Sequence, residues 1–269
     1  LPGPFEWDLK RLVASFAVAG RANGFDEATR AHIISRVVRT YRDSVQTFSH
    51  MPRLQVWYSR LTAQDIENRW AGKVDKQYRK SFEKLVAKAE TKSSQKSLQK
   101  LTTTAPDGSI TFDSNPPFME PFDEVVGSAD KEQIRHATQA ALVAYRRSLL
   151  SDRRVLFSGY RVVDLARKVV GVGSVGTRCW VMLLMADQDD SDVLMLQLKQ
   201  AEASVLEPYL GRSRASHHGQ RVVEGQRVMQ AATDILLGWT QLTVKDNEVD
   251  FYVRQMWDWK ESADIQSMD

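Results

Sequence analysis

Apolar residues recur at helical spacing through the first part of the chain. Between Trp7 and Gly20 they fall at Leu9, Leu12, Val13, Phe16, Ala17 and Ala19, with Lys10 and Arg11 on the other face. Asn23-Gly24 closes that helix in a turn, and Asp26 is placed to cap a second helix over Glu27–Phe48, which carries Ile33, Ile34, Val37, Val38, Tyr41 and Val45. Pro52 breaks this run, and two more helices are expected, over Arg53–Arg60 and Ala63–Ala89. The pattern changes after Thr102. Pro106-Asp107-Gly108 reads as a turn, and Ile110 and Phe112 alternate with Thr111 like a short strand. Asn115-Pro116-Pro117 and Pro121 are expected to exclude regular structure. Helical spacing resumes over Lys131–Ser148, with Ile134, Ala137, Ala141, Leu142 and Tyr145 on one side.

The remainder is strand-rich. Phe157–Val163 starts it, and Val163–Val170 leads into a glycine-rich turn that holds Gly171, Gly173, Ser174, Gly176 and Thr177. An apolar run, Cys179–Met185, follows; a polar turn, Asp187–Ser191, separates it from a second run, Val193–Leu198, that ends on Lys199. Gln200–Tyr209 reads as a short helix or turn, and Gly219–Asp234 as a helix with Val222, Val223, Val228, Met229 and Ala232. Ile235–Thr243 and Val249–Trp257 read as antiparallel strands joined by a turn at Lys245–Glu248. The expected class is therefore α+β. A mainly helical lobe (1–105) comes first, then a Pro-rich linker (106–127), a helix (128–150), and a small antiparallel-sheet lobe with one main helix (151–269).

Composition narrows the reading without redirecting it. At 42% hydrophobic and 26% charged the 269 residues have ordinary globular composition. No apolar run approaches the roughly 18 residues that cross a bilayer, and the start, Leu1-Pro2-Gly3-Pro4, lacks a signal peptide's basic and apolar regions. A single cysteine rules out an internal disulfide, so a cytoplasmic location without membrane contact is expected. A net charge of +3 is too small to argue for nucleic acid as partner. His217-His218 is no chelate, because neighbouring helical residues point about 100° apart. Lys88, Lys92, Lys96 and Lys100 recur every four residues along one helical face, either a solvated surface or a docking face for an anionic partner.

The glycine turn carries the chemistry. Three of fourteen glycines sit within six positions there, and glycine lets backbone N–H groups approach an anion closely. A dinucleotide-binding fold needs a helix directly after such a turn, but Thr177–Met185 is strand-like; no Gly-Lys-Ser/Thr follows, so it is not a P-loop. The remaining use is the strand–loop–strand flap over nucleotide phosphates, with a lysine on the third strand paired to a glutamate on the next helix. Lys199 is that lysine. Glu224 on the following helix is its expected partner, and Glu202 and Glu207 are rivals.

The strings Leu1–Leu12, Val169–Arg178, Gln197–Ala201, Arg221–Arg227 and Asp250–Gln255 resemble an uncharacterised bacterial family, domain of unknown function 2252, over essentially the whole chain. Its members look kinase-like, similar to aminoglycoside and other small-molecule phosphotransferases, with the two lobes in swapped order. The resemblance implies ATP and magnesium as cofactors and an unidentified small-molecule phosphate acceptor. It implies roles in nucleotide binding for Gly171, Gly173, Ser174, Gly176, Thr177, Lys199 and Glu224, and an adenine-side hinge near Met256–Trp259. It also implies that this chain resembles an internal fragment. In the family, segments similar to a catalytic loop and to a metal-binding aspartate precede Leu1, so the fragment alone is expected to be inactive. Asp8 then either braces the catalytic loop or simply caps its helix. A non-catalytic nucleotide-binding module and a helical interaction module are the alternatives.

Overall fold

The computed structural model describes residues 3–60, 62, 65, 68, 98, 100–104, 108–126, 131–169, 176–189, 191–244 and 247–256. The helix expected over Ala63–Ala89 and the lysine face at Lys88, Lys92 and Lys96 lie largely or wholly outside them. The chain forms two compact units, the first holding the described residues 3–68 and the second those from 98 to 256. Among the described residues there are eight helices and two antiparallel sheets, a mixed α+β architecture.

The first unit is a helical hairpin. Helix α1 (Phe5–Ala22) opens with Glu6 and Asp8 in its first turn, where the helix dipole favours carboxylates. Asp8 is exposed inside the helix and does not cap it; Pro4 holds the cap position. Gly24 takes φ +74°, a left-handed conformation that glycine adopts without strain, and so closes the turn. Asp26 caps α2 (Glu27–Ser49) as expected: its Oδ1 accepts from Thr29 N–H at 2.7 Å. Helix α3 (Arg53–Tyr58) is one and a half turns long and follows Pro52. Pairing of α1 and α2 buries little; Gly20 is the one buried residue among those described in this unit.

The second unit is built on a six-stranded antiparallel sheet in the order β3-β4-β5-β6-β8-β7. Its strands are β3 (Met119–Pro121), β4 (Tyr160–Lys168), β5 (Cys179–Ala186), β6 (Val193–Gln200), β7 (Gly238–Val244) and β8 (Asn247–Gln255). A two-stranded hairpin, β1 (Thr102–Thr104) with β2 (Ile110–Phe112), accompanies it. The prolines did not exclude regular structure. Met119–Pro121 pairs with Ala166–Lys168 as an edge strand, with Pro121 at its end, where a missing N–H removes little from the ladder. Residues 235–237 form a turn, because Asp234 takes up Leu236 N–H (2.9 Å) and Gln255 N–H (2.5 Å), so β7 starts three residues later than the apolar run suggested.

Strands β5 and β6 are apolar without alternation because both faces of the central sheet are covered. One face packs under α5 (Lys131–Ser148), reached from β3 through the single turn α4 (Phe122–Val125), and under α6 (Ser151–Phe157). Tyr145, Leu149, Met182, Leu184, Leu196 and Val253 form that core. Tyr145 Oη donates to Leu236 O at 2.6 Å and Thr240 Oγ1 to Ala141 O at 2.5 Å, so the buried polar atoms of the joint are satisfied. Gly238 is obligatory there: a Cβ would come within 2.6 Å of Ser148 Oγ and 2.8 Å of the Tyr145 ring. The opposite face buries Val181, Leu183, Met195 and Met256 beneath Phe112, with Met119 of the edge strand beside them. After β6 come the turn-like α7 (Glu207–Leu210) and α8 (His218–Met229), which packs on β7 and β8.

Candidate functional site

Direct cross-strand partners share a face of an antiparallel sheet. Cys179 faces Lys199, Lys199 faces Tyr252, and Tyr252 faces Trp239, which makes one row across β5, β6, β8 and β7. The next row is Ala166, Val181, Gln197 and Arg254. Two residues beyond Ala166 on β4, Lys168 extends the first row beside Cys179. The same face is apolar at its far end, where Leu183 meets Met195. It therefore grades from a covered apolar end to a polar, cationic end, and the cationic end is the one where the glycine turn joins β4 to β5.

The electrostatics agree with this geometry. Burial pushes the Cys179 thiol up, and the groups that oppose it are Lys199, Gln197, Lys168 and Arg254, three of them positive charges. Burial likewise lowers Lys168 and raises Tyr252. Gln197 is 2% exposed and its side chain hydrogen-bonds the Cys179 thiol, whereas Arg254 Nε has no hydrogen-bond acceptor among the described residues. The apolar cavity beneath α5, bounded by Leu142, Trp180, Met182, Leu198 and Val253, lies on the opposite face and contains none of these groups.

Of the expected phosphate-flap residues, Gly171, Gly173 and Ser174 lie outside the described residues. Gly176 and Thr177 lie at the cationic end. Gly176 takes φ +83°, and the arm after it is tied to β6: Arg178 N–H donates to Gln200 Oε1 and Gln200 N–H to Arg178 O, both at 2.9 Å. Lys199 is half-buried in the adjoining ladder. Glu224 is not brought to it. That side chain is exposed on α8, and its Oε1 accepts from Gln220 Nε2 at 2.7 Å. No ion pair joins Lys199 to Glu224, Glu202 or Glu207 among the described residues. Glu202 instead accepts from Gln200 Nε2 at 3.0 Å, and Glu207 Oε1 accepts from Ser204 N–H at 3.3 Å. Met256 is buried at the end of β8 in the apolar core, and Trp257 to Trp259 lie outside the described residues.

Helix α8 is held against the sheet by groups that the sequence did not flag. His217 caps it: Nδ1 accepts from Gln220 N–H at 3.2 Å, which requires that nitrogen unprotonated, and burial lowers the imidazole below its ordinary 6.5. Asp250 on β8 accepts His218 N–H at 2.7 Å and Gln241 Nε2 at 3.0 Å and stands 3.3 Å from His217 Nε2. Arg221 donates to Glu202 O and Arg227 to Leu237 O, each at 2.7 Å. Gly219 sits so close to β8 that a Cβ would overlap the Phe251 carbonyl.

Lys168, Gln197 and Arg254 were not among the residues expected at the site. Lys168 stands just before the glycine turn in the sequence, and Gln197 shares the period-two face of Lys199, so both carried a weak signal. Arg254 carried none, because its place depends on the β6–β8 register.

No helix among the described residues is long and apolar enough to cross a membrane. No curated protein and no solved structure matches the chain. A family model does: the chain belongs, over residues 1–269, to the family described as an uncharacterized protein conserved in bacteria (DUF2252).

Proposed function

We propose that the second unit is the nucleotide-binding lobe of a kinase-like phosphotransferase and that the cationic end of its sheet takes the phosphates of ATP. The observation that carries this reading is the position of Lys199, directly across the ladder from Cys179 at the foot of the glycine-turn hairpin. Two strands joined by a glycine turn, a third strand bearing a lysine and then a helix follow the order of parts in the phosphate-binding lobe of protein kinases. In that role the N–H groups of Gly176 and Thr177 face the phosphates, and Lys199 supplies a fixed positive charge beside them. Glu224 is hydrogen-bonded to Gln220 and makes no ion pair with Lys199 among the described residues, so the phosphate contact rests on Lys199 and the turn.

The positive charges of Lys168, Lys199 and Arg254 on this face suit phosphate oxygens. Magnesium would neutralise charge on the phosphates as they transfer. Isothermal titration with ATP and magnesium tests the reading. Lys199→Ala should abolish binding while leaving the thermal midpoint near that of the parent. Equal affinity in parent and variant, or no binding in the parent, would sink it. Release of phosphate to an acceptor then separates a phosphotransferase from a nucleotide-binding module without catalysis.

A further inference from the structure

Helix α5 meets the sheet as a wedge, sealed at one end and open at the other. Its C-terminal half is tied down by three hydrogen bonds. Tyr145 Oη donates to Leu236 O at 2.6 Å, Trp239 N–H to Ser148 Oγ at 2.9 Å, and Thr240 Oγ1 to Ala141 O. The close approach at Gly238 seals that end. Beneath its earlier turns, Ile134 to Leu142, a cavity separates helix from sheet. We propose that this cavity is a binding site for a small, uncharged, apolar molecule about the size of one aromatic ring. The inference is independent of the nucleotide reading, because the cavity lies on the face of the sheet opposite Lys199.

The chemistry of the lining sets the class of ligand. Met182, Leu196 and Val253 form its floor, and Leu142, Trp180 and Leu198 bound it. The three hydroxyls in the lining are engaged within the protein: Thr138 Oγ1 donates to Ile134 O at 2.8 Å, Thr240 Oγ1 to Ala141 O, and Tyr145 Oη to Leu236 O. An occupant therefore meets methyl, methylene and ring carbon. A peptide segment or a charged molecule would bring polar groups whose lost hydration nothing inside replaces. Water is disfavoured for the same reason, and dry apolar cavities of this kind take apolar guests.

Size and shape narrow the class. The enclosed space is about 40 Å³, and with its open mouth the gap holds about 570 Å³ between atoms. The enclosed part admits the leading edge of a ring or a branched alkyl group, and the mouth takes the remainder. Phe122 and Trp180 both line the gap, with ring centroids 6.3 Å apart and planes tilted by 53°. Such a tilted pair is one that a third ring extends favourably.

Incomplete burial marks the same place. Ile134, Leu142, Leu165, Trp180, Leu198 and Leu242 line the gap, and each is only half-buried. At the sealed end of the same joint, Leu149 and Leu184 are fully buried. Exposed apolar surface gathered in one cleft, rather than scattered singly, points to an occupant that removes it from water.

The test uses the full chain with toluene as the probe and benzoate as a charged molecule of similar size. Toluene should shift the Met182 methyl resonance saturably and raise the thermal midpoint by a few degrees at about tenfold its dissociation constant. Benzoate should do neither. Thr138→Leu adds carbon to the gap and should weaken toluene by about tenfold or more. Leu142→Ala widens the gap and should tighten toluene roughly threefold; it covers the case in which Thr138→Leu fails to fold. No saturable shift in the parent, or equal affinity in the parent and both variants, overturns the inference. Benzoate binding as tightly as toluene also overturns it. A dimeric parent that becomes monomeric in Thr138→Leu by light scattering would seat a second copy in the gap and overturn the small-molecule reading. Absence of ATP binding in the same samples removes the nucleotide reading and leaves this site standing.

Discussion

The α1–α2 hairpin and the β5–β6 hairpin follow the same rule of patterning with opposite results. Helix α2 carries a regular apolar stripe, yet none of its residues is buried. Strands β5 and β6 are shorter, and eleven of their sixteen residues are buried. Among the described residues the two helices pair along one stripe, whereas the strands are covered twice, by α5 and α6 on one face and by the β1–β2 hairpin on the other. Each fully buried leucine side chain is worth about 1.5–3 kcal/mol relative to exposure, so the second unit holds most of the cohesion in the described chain. The candidate site stands on that unit. Lys199 projects from β6, one of these firmly held strands, where a binding geometry is least disturbed by local opening.

The comparison breaks most easily at the core. Leu183→Ala, at a position with no exposed surface, should lower the unfolding free energy by about 2–5 kcal/mol in urea titration. Val37→Ala on the α2 stripe should cost under about 1 kcal/mol. Equal losses would mean that the helical hairpin is as deeply packed as the sheet. The next effect divides two glycines of one helix. Gly219→Ala forces a methyl group against the Phe251 backbone and should cost about 1–3 kcal/mol, with loss of α8 docking seen as faster amide exchange at His218. Gly225→Ala meets open space and should stabilise by up to about 1 kcal/mol.

A smaller, pH-dependent effect sits at the cap of α8. His217 titrates below its ordinary 6.5 in the folded protein, so below that pH the unfolded chain takes up more protons than the folded one. Its contribution is complete above 6.5 and is lost as pH falls through the folded value. Urea midpoints measured from about pH 7.5 down to about pH 5 should therefore decline, and His217→Asn, which keeps a capping acceptor without titrating, should flatten that decline. Last, Asp26→Ala removes the acceptor for Thr29 N–H; exchange at that amide should speed up while exchange in β5 and β6 stays unchanged.

Legibility follows the range of the forces. Lys131–Ser148 is legible to the residue because its apolar spacing is local and complete. β5 and β6 are legible because continuous apolar runs bounded by a glycine turn and an acidic turn have few other homes. β3 is hidden because tertiary contact with β4 sets its pairing, although its prolines locally disfavour a strand. His217 escapes notice because neutral histidine is not among the residues that usually cap helices. At the site, Lys199 and the glycines are legible as a spacing along one stretch. Arg254 joins them only through a ladder to a strand more than fifty residues later, and no period along the chain encodes that register.

Helix α8 is pinned at both ends. Asp250 holds its first turn to β8, and Arg227 anchors its last turn to the carbonyl of Leu237. In mechanical terms, sliding along its axis or swinging away from the sheet breaks these pins. Glu224 lies between the pins, on the exposed outer side. The two pins thus fix to the sheet, at both ends, the stretch of helix that carries Glu224.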